Sequence, residues 1–208
     1  MDDILKIDSR TNNWRWELEK NGVYSVRSLR KAFDANSLRT SNIETIWCKT
    51  VPRKINVFTW RLRLNRLPTR DNLCIRGVKV ANPLCPACNC IGETASHLFL
   101  ACSTAKEVMA WLRNRWDMLP DLSSCSDIDG LLNGGAQNGW SKVEVLKFQT
   151  VIRAFLWAIW SNRNDICFNG KIRSPLAIAS EVINNSFHWF KIRCKQGRLS
   201  TLDLENWM

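Results

Sequence analysis

Cys85, Cys88, His97 and Cys102 follow the spacing Cys-x2-Cys-x8-His-x4-Cys. Three thiolates and one imidazole at such distances suit a single tetrahedral zinc ion. Between the first two thiols, Pro86 and Ala87 are small enough for the backbone to turn and aim both sulfurs at one ion. His97 and Cys102 close the set from the start of the next segment. With four protein donors no position stays open for water, so the expected Zn2+ is one structural ion rather than a catalytic one.

Plainer readings stand beside this one. Reduced cysteines are among the most buried residue types and can simply fill a core, and His97 can be a packed histidine. The finger-like spacing favours zinc over both. Cys90, two residues past Cys88, is an alternative ligand in a more strained site and is read as a spectator. Of the two histidines in the chain, the other, His188, stands alone in a helical pattern and reads as packed.

The chain has 208 residues, 45% of them hydrophobic, enough to bury a real core. Nine cysteines, an odd and uneven set, and no signal-peptide pattern at Met1-Asp2-Asp3 point to an intracellular, reducing compartment. Cys48, Cys74, Cys125, Cys167 and Cys194 then read as small apolar fillers. The longest apolar run, Ala154 to Trp160, falls short of the ~20 residues that cross a bilayer, so no membrane role is expected. The formal net charge is +11, and its placement matters more than its size. Between Val51 and Val80, eight cations (Arg53, Lys54, Arg61, Arg63, Arg66, Arg70, Arg76 and Lys79) face a single acid, Asp71.

The periodicity predicts a mainly α fold, a helical zinc-stabilised domain with a small N-terminal β-hairpin. Residues 1–10 read as a polar leader. Trp14, Trp16 and Leu18 alternate with charged residues, and Asn21-Gly22 turns the chain into Val23–Val26, a hairpin signal because Asn-Gly tolerates positive φ. Ser25 or Ser28 can cap a short helix bearing Leu29, Ala32 and Phe33. From about Ile43 a helical pattern carries Val51, Ile55, Phe58 and Leu62 on one face and Val57, Trp60 and Leu64 on nearly the opposite one, which predicts a central helix. Thr69 can cap a helix from Arg70 to Arg76, with Gly77 as its stop. Ser103 is expected to cap a helix carrying Val108, Met109, Leu112 and Trp116. A long helix spans Trp140 to Phe168 with Val143, Leu146, Ile152, Phe155 and Ile159 inward, and another follows Ser174-Pro175 with Leu176, Ala179, Ile183, Phe187 and Phe190 in a stripe that Gly197 closes. The expected divisions are 1–42 (leader, hairpin and short helix), 43–117 (zinc-binding domain), 118–139 (linker with a short helix near Ile128 to Leu132) and 140–208 (C-terminal helical region).

The residues carry more than pattern. Trp47 to Arg61, Leu67 to Leu73, Cys85-Pro86-Ala87-Cys88 and Glu93 to Cys102 together resemble the zinc-binding domain that follows the reverse transcriptase in LINE-type non-LTR retrotransposons, in the version abundant in plant elements. The resemblance covers about residues 25–116, and the stretches Trp14 to Val26 and Leu156 to Asn164 resemble that domain's usual neighbours. It implies that Cys85, Cys88, His97 and Cys102 are zinc ligands, that RNA or DNA is a partner, and that the protein is nuclear. The polymerase that precedes the domain in that family is not recognisable: no aromatic-x-Asp-Asp motif occurs, and the only Asp-Asp is Asp2-Asp3. No four-carboxylate ribonuclease H set is evident either. The expected activity is therefore a nucleic-acid-binding accessory function without catalysis, with a reverse transcriptase supplied in trans and no small-molecule substrate.

Phosphate neutralisation by Lys and Arg is independent of sequence, and the expected contacts are Arg53, Lys54, Arg61, Arg63, Arg66 and Arg70, with Trp60 or Trp47 as a stacking platform. Eleven tryptophans beside one tyrosine also fit large core fillers, and the cations can be a solvated face. A zinc-stabilised protein-interaction or structural module without nucleic-acid binding stays open as the alternative. Cys74 or Cys90 as a catalytic thiolate lacks a base, since His97 is taken and His188 is distant.

Overall fold

The computed structural model describes residues 5–8, 13–29, 47–134, 139–194 and 207. The chain divides into two units, Met1–Thr45 and Ile46–Met208.

In the first unit, β1 (Leu5–Asp8) pairs antiparallel with β2 (Asn13–Trp16), placing Leu5 opposite Trp16 and Asp8 opposite Asn13. The expected leader therefore contributes a strand. The hairpin expected over Trp14 to Val26 is not formed: residues 23–25 are not a strand, and a helix begins at residue 26. Local polar groups explain the difference. Asn21 Oδ1 accepts the Val23 N–H at 3.0 Å, and Ser25 Oγ accepts the Ser28 N–H at 3.1 Å, starting the helix. Side chains of this kind compete with a strand ladder for the same backbone. Gly22 does turn the chain, with φ of 70°. The helix expected to carry Ala32 and Phe33, and the polar stretch after it, lie outside the described residues.

In the second unit, α1 (Arg53–Arg63) buries Ile55, Phe58 and Leu62, the face that the spacing predicts. Its second apolar face is not buried: Val57 is exposed and Trp60 half-buried. The central helix is instead α5 (Lys142–Asn169), in which every residue from Thr150 to Trp160 except Trp157 is buried. A helix enclosed on all sides reads as apolar all round. Val143, expected inward, is exposed near its start.

The starts of the other helices follow their caps. Thr69 accepts the Asn72 N–H to open α2 (Arg70–Ile75), and Gly77, at φ of 79°, follows its end. Cys102, not Ser103, holds the N-cap position of α3 (Ser103–Arg113). The stretch 118–139, expected as a linker, contains a 3-10 turn (Leu122–Ser124) and α4 (Ile128–Asn133), with Leu122, Leu131 and Leu132 buried. Ser141 and Glu144 form a capping box at the start of α5, and Gly170, left-handed, ends it. Ser174 caps α6 (Pro175–Arg193), whose Leu176 is exposed while Ile178, Ala179, Val182, Phe187, Trp189 and Phe190 are buried. Gly197 lies outside the described residues. α6 packs against α5 and α3, and α1 and α4 pack against α5. Trp207 packs on α6: its ring meets Phe187 edge-on and Phe190 at a tilt, and its Nε1–H donates to Ser186 Oγ at 2.9 Å. No described helix is long and apolar enough to cross a membrane.

Candidate metal centre

Cys85 and Cys88 lie in a loop that is pinned before any metal is considered. Leu84 and Gly92 form an isolated antiparallel bridge, the Cys85 N–H donates to the Ile91 carbonyl at 2.7 Å, and the Asn89 N–H donates to the Cys85 carbonyl at 2.7 Å. Asn89 takes φ of 53°, the left-handed conformation that Asn tolerates. The result is a tight knuckle with both sulfurs on its inner side.

His97 and Cys102 come from a widened turn. Residues His97–Ala101 form one π-helical turn, and the Cys102 N–H donates to the His97 carbonyl at 2.7 Å. This wider winding, common at functional sites, brings two side chains five residues apart to one side. The Thr94 hydroxyl accepts the His97 backbone N–H at 3.0 Å and so holds the start of this turn.

The four donor atoms all lie within 4.8 Å of one another. Cys85 Sγ is 3.9 Å from Cys102 Sγ, and Cys88 Sγ is 3.2 Å from His97 Nε2. With Zn–S near 2.3 Å, a tetrahedral ion separates its sulfurs by about 3.8 Å, so the set fits zinc. Cys85 and Cys102 are fully buried, His97 is buried and Cys88 half-buried. Cys90 is exposed, and its thiol donates to the Cys88 carbonyl at 3.0 Å. It points out of the cluster.

The electrostatics favour a cation. The Cys85 thiol donates to Cys102 and holds its pKa down to about 5, helped by the Ala105 and Thr104 N–H groups at the start of α3. Cys85 is pushed up, first by that same hydrogen bond and then by burial. One buried thiolate with a second thiol against it is a site that a divalent ion completes by displacing the proton.

Two residues assigned no role by the sequence tie this centre to the rest of the unit. Glu93, one residue past the bridge, accepts from Arg163 Nε at 2.6 Å and Nη2 at 2.8 Å, and its Oε2 accepts the Arg70 N–H at 2.9 Å. Burial opposes the Arg163 charge, and the Glu93 carboxylate outweighs it and raises the Arg163 pKa. The available signal was a single glutamate inside the metal motif, the only charged residue between Lys79 and Lys106.

The expected nucleic-acid contacts fall into two groups. Arg53, Lys54, Arg61 and Arg66 are exposed. Arg63 is not available to a ligand, because its Nε pairs with Asp129 Oδ1 and its side chain is 9% exposed. Arg70 is half-buried with its guanidinium donating to the Leu84 carbonyl, so it supports the metal loop. Trp60 is half-buried, whereas Trp47 is exposed. Two other expectations also change: His188 is exposed rather than packed, and Cys74 is exposed rather than a filler.

No curated protein and no solved structure matches the chain. Residues 24–111, fewer than half of the chain, do match the family described as zinc-binding in reverse transcriptase, and this segment is accordingly a zinc-binding domain of the reverse-transcriptase type.

Proposed function

We propose that the protein is a nucleic-acid-binding accessory module derived from a non-LTR retrotransposon, with one structural zinc and no catalysis of its own. The observation that carries the reading is the surface of residues 51–80. Arg53, Lys54, Arg61, Arg66, Arg76 and Lys79 are all exposed there, against Asp71 as the only acid. Among the described residues none of the six enters an ion pair. Cations without acidic partners concentrate a positive field at which phosphates displace condensed counterions.

Zinc serves this surface indirectly. Held by Cys85, Cys88, His97 and Cys102, it would pin the knuckle to the start of α3 and so fix the loop that Glu93 and Arg70 join to α2 and α5. A module of this kind acts in trans, presenting RNA or DNA to a reverse transcriptase on another polypeptide, which places it in the nucleus.

The test is a salt-titrated binding series on matched single-stranded and duplex RNA and DNA with the zinc-loaded protein. Log affinity should fall linearly with log salt, with a slope of about 0.7 to 0.9 per phosphate contacted. Absence of salt-dependent binding to all four would end this reading.

A further inference from the structure

A cleft of about 730 Å³ opens between α1, the segment leading into α2, the loop at 78–80 and the C-terminal half of α5. Its lining contains Lys54, Arg61, Arg70, Lys79 and Arg163 and neither aspartate nor glutamate. Arg163 and Arg70 are engaged with Glu93 and the Leu84 carbonyl. Lys54, Arg61 and Lys79 remain exposed at the rim, without an ion pair among the described residues.

Between these cations the walls are apolar. Among the lining residues Phe168 is 78% exposed, Val57 and Val78 are also exposed, and Trp157 is half-buried. Trp157 is held in place by an edge-on contact with Phe58 at 5.3 Å, and the Lys54 ammonium sits 5.4 Å from its ring centroid. An exposed phenylalanine within a cationic rim asks for a ligand that is anionic along its edge and flat and apolar across its face.

We infer that this cleft holds unpaired bases of a single-stranded nucleic acid, with Phe168 and Trp157 against base faces and Lys54, Arg61 and Lys79 along the backbone. The inference rests on the nucleic-acid reading above and specifies its site and strand state. In a duplex each base face is covered by its neighbours, and only a single strand can offer rings to an aromatic wall. Arg66 and Arg76, which do not line the cleft, are exposed as well, and the Arg76 guanidinium donates to the Arg66 carbonyl at 3.2 Å, so the unpaired cations extend beyond what a short acidic peptide would need.

Fluorescence anisotropy of the zinc-loaded full chain with labelled oligo(dT), oligo(U) and a matched hairpin duplex tests the site. Phe168→Ala should weaken single-strand binding by roughly tenfold with an unchanged salt slope, and leave duplex binding as it was. Replacing Lys54, Arg61 and Lys79 together by Gln should lower the single-strand slope by about 0.7 for each phosphate no longer neutralised. Both sets are exposed, so zinc content and circular dichroism should match wild type. A control replaces Arg53, Arg66 and Arg76. If that control weakens binding while Phe168→Ala and the cleft triple bind as wild type, the cleft is overturned and nucleic-acid binding stands. If the wild type binds none of the three probes but binds an acidic peptide containing phenylalanine, both the cleft assignment and the broader reading fail.

Discussion

Glu93 and Arg163, seventy residues apart, form a bidentate ion pair with side chains 0% and 5% exposed. It joins the loop that carries the first two metal ligands to the central helix α5, outside the matched segment 24–111. Removing one member of a buried pair strands the other charge, so Arg163→Met should cost ~3–5 kcal/mol. The double variant Glu93→Leu with Arg163→Met should cost less than that single change. Urea unfolding measures both. A loss below ~0.5 kcal/mol for Arg163→Met, the range of an ordinary surface change, would show that the pair does not hold the loop.

Purified protein should carry about one equivalent of zinc. Cys102→Ser should lose the metal and the tie between the knuckle and α3, while α3 itself still starts normally because serine is a good N-cap residue. Cys90→Ser should retain it, since that thiol faces away from the cluster. Metal analysis in which Cys90→Ser lost zinc and Cys88→Ser kept it would reverse the ligand assignment.

Zinc affinity should fall as pH falls. Cys102 is held near a pKa of about 5 by the hydrogen bond from Cys85, so at neutral pH it is already a thiolate, while Cys85 is raised and still protonated. Metal binding must expel that proton, and acid opposes the step. Competition against a chromophoric chelator should show weaker binding at pH 6 than at pH 8. Equal affinity at the two values would contradict a thiolate ligand set.

Arg61 and Arg63, two residues apart on α1, should separate binding from stability. Arg61 is exposed, so Arg61→Gln should reduce the salt slope and leave unfolding unchanged. Arg63 pairs with Asp129, so Arg63→Gln should cost ~1–2 kcal/mol, between exposed and buried pairs, and leave the slope unchanged. The opposite pattern in paired binding and denaturation curves would move the interface to the other face of the helix.

The protein should show no primer extension and no RNA cleavage with magnesium or manganese. Nucleotide polymerisation uses carboxylates that hold two metal ions, and among the described residues the gathered donors are three sulfurs and an imidazole. Synthesis that survived removal of contaminating polymerases would overturn the accessory role, as would ribonuclease activity abolished at Asp127 or Asp129.

What the sequence determined by itself is local. The spacing of Cys85, Cys88, His97 and Cys102 is a chain property, because a knuckle and one turn suffice to bring the atoms together, and the resemblance placed at about 25–116 agrees with the matched segment 24–111. Thr69, Ser141 with Glu144, and Ser174 mark helix starts through bonds to backbone within three residues. Tertiary structure decided everything that depends on distant partners. α5 and not α1 is the enclosed helix, and of eight similar-looking cations it is Arg63 that Asp129 neutralises. The reason is physical: a cap or a chelate is completed within one or two turns of chain. Whether a cation faces water or a buried carboxylate depends on which segments pack together, and in the Glu93–Arg163 pair those segments are seventy residues apart in the chain.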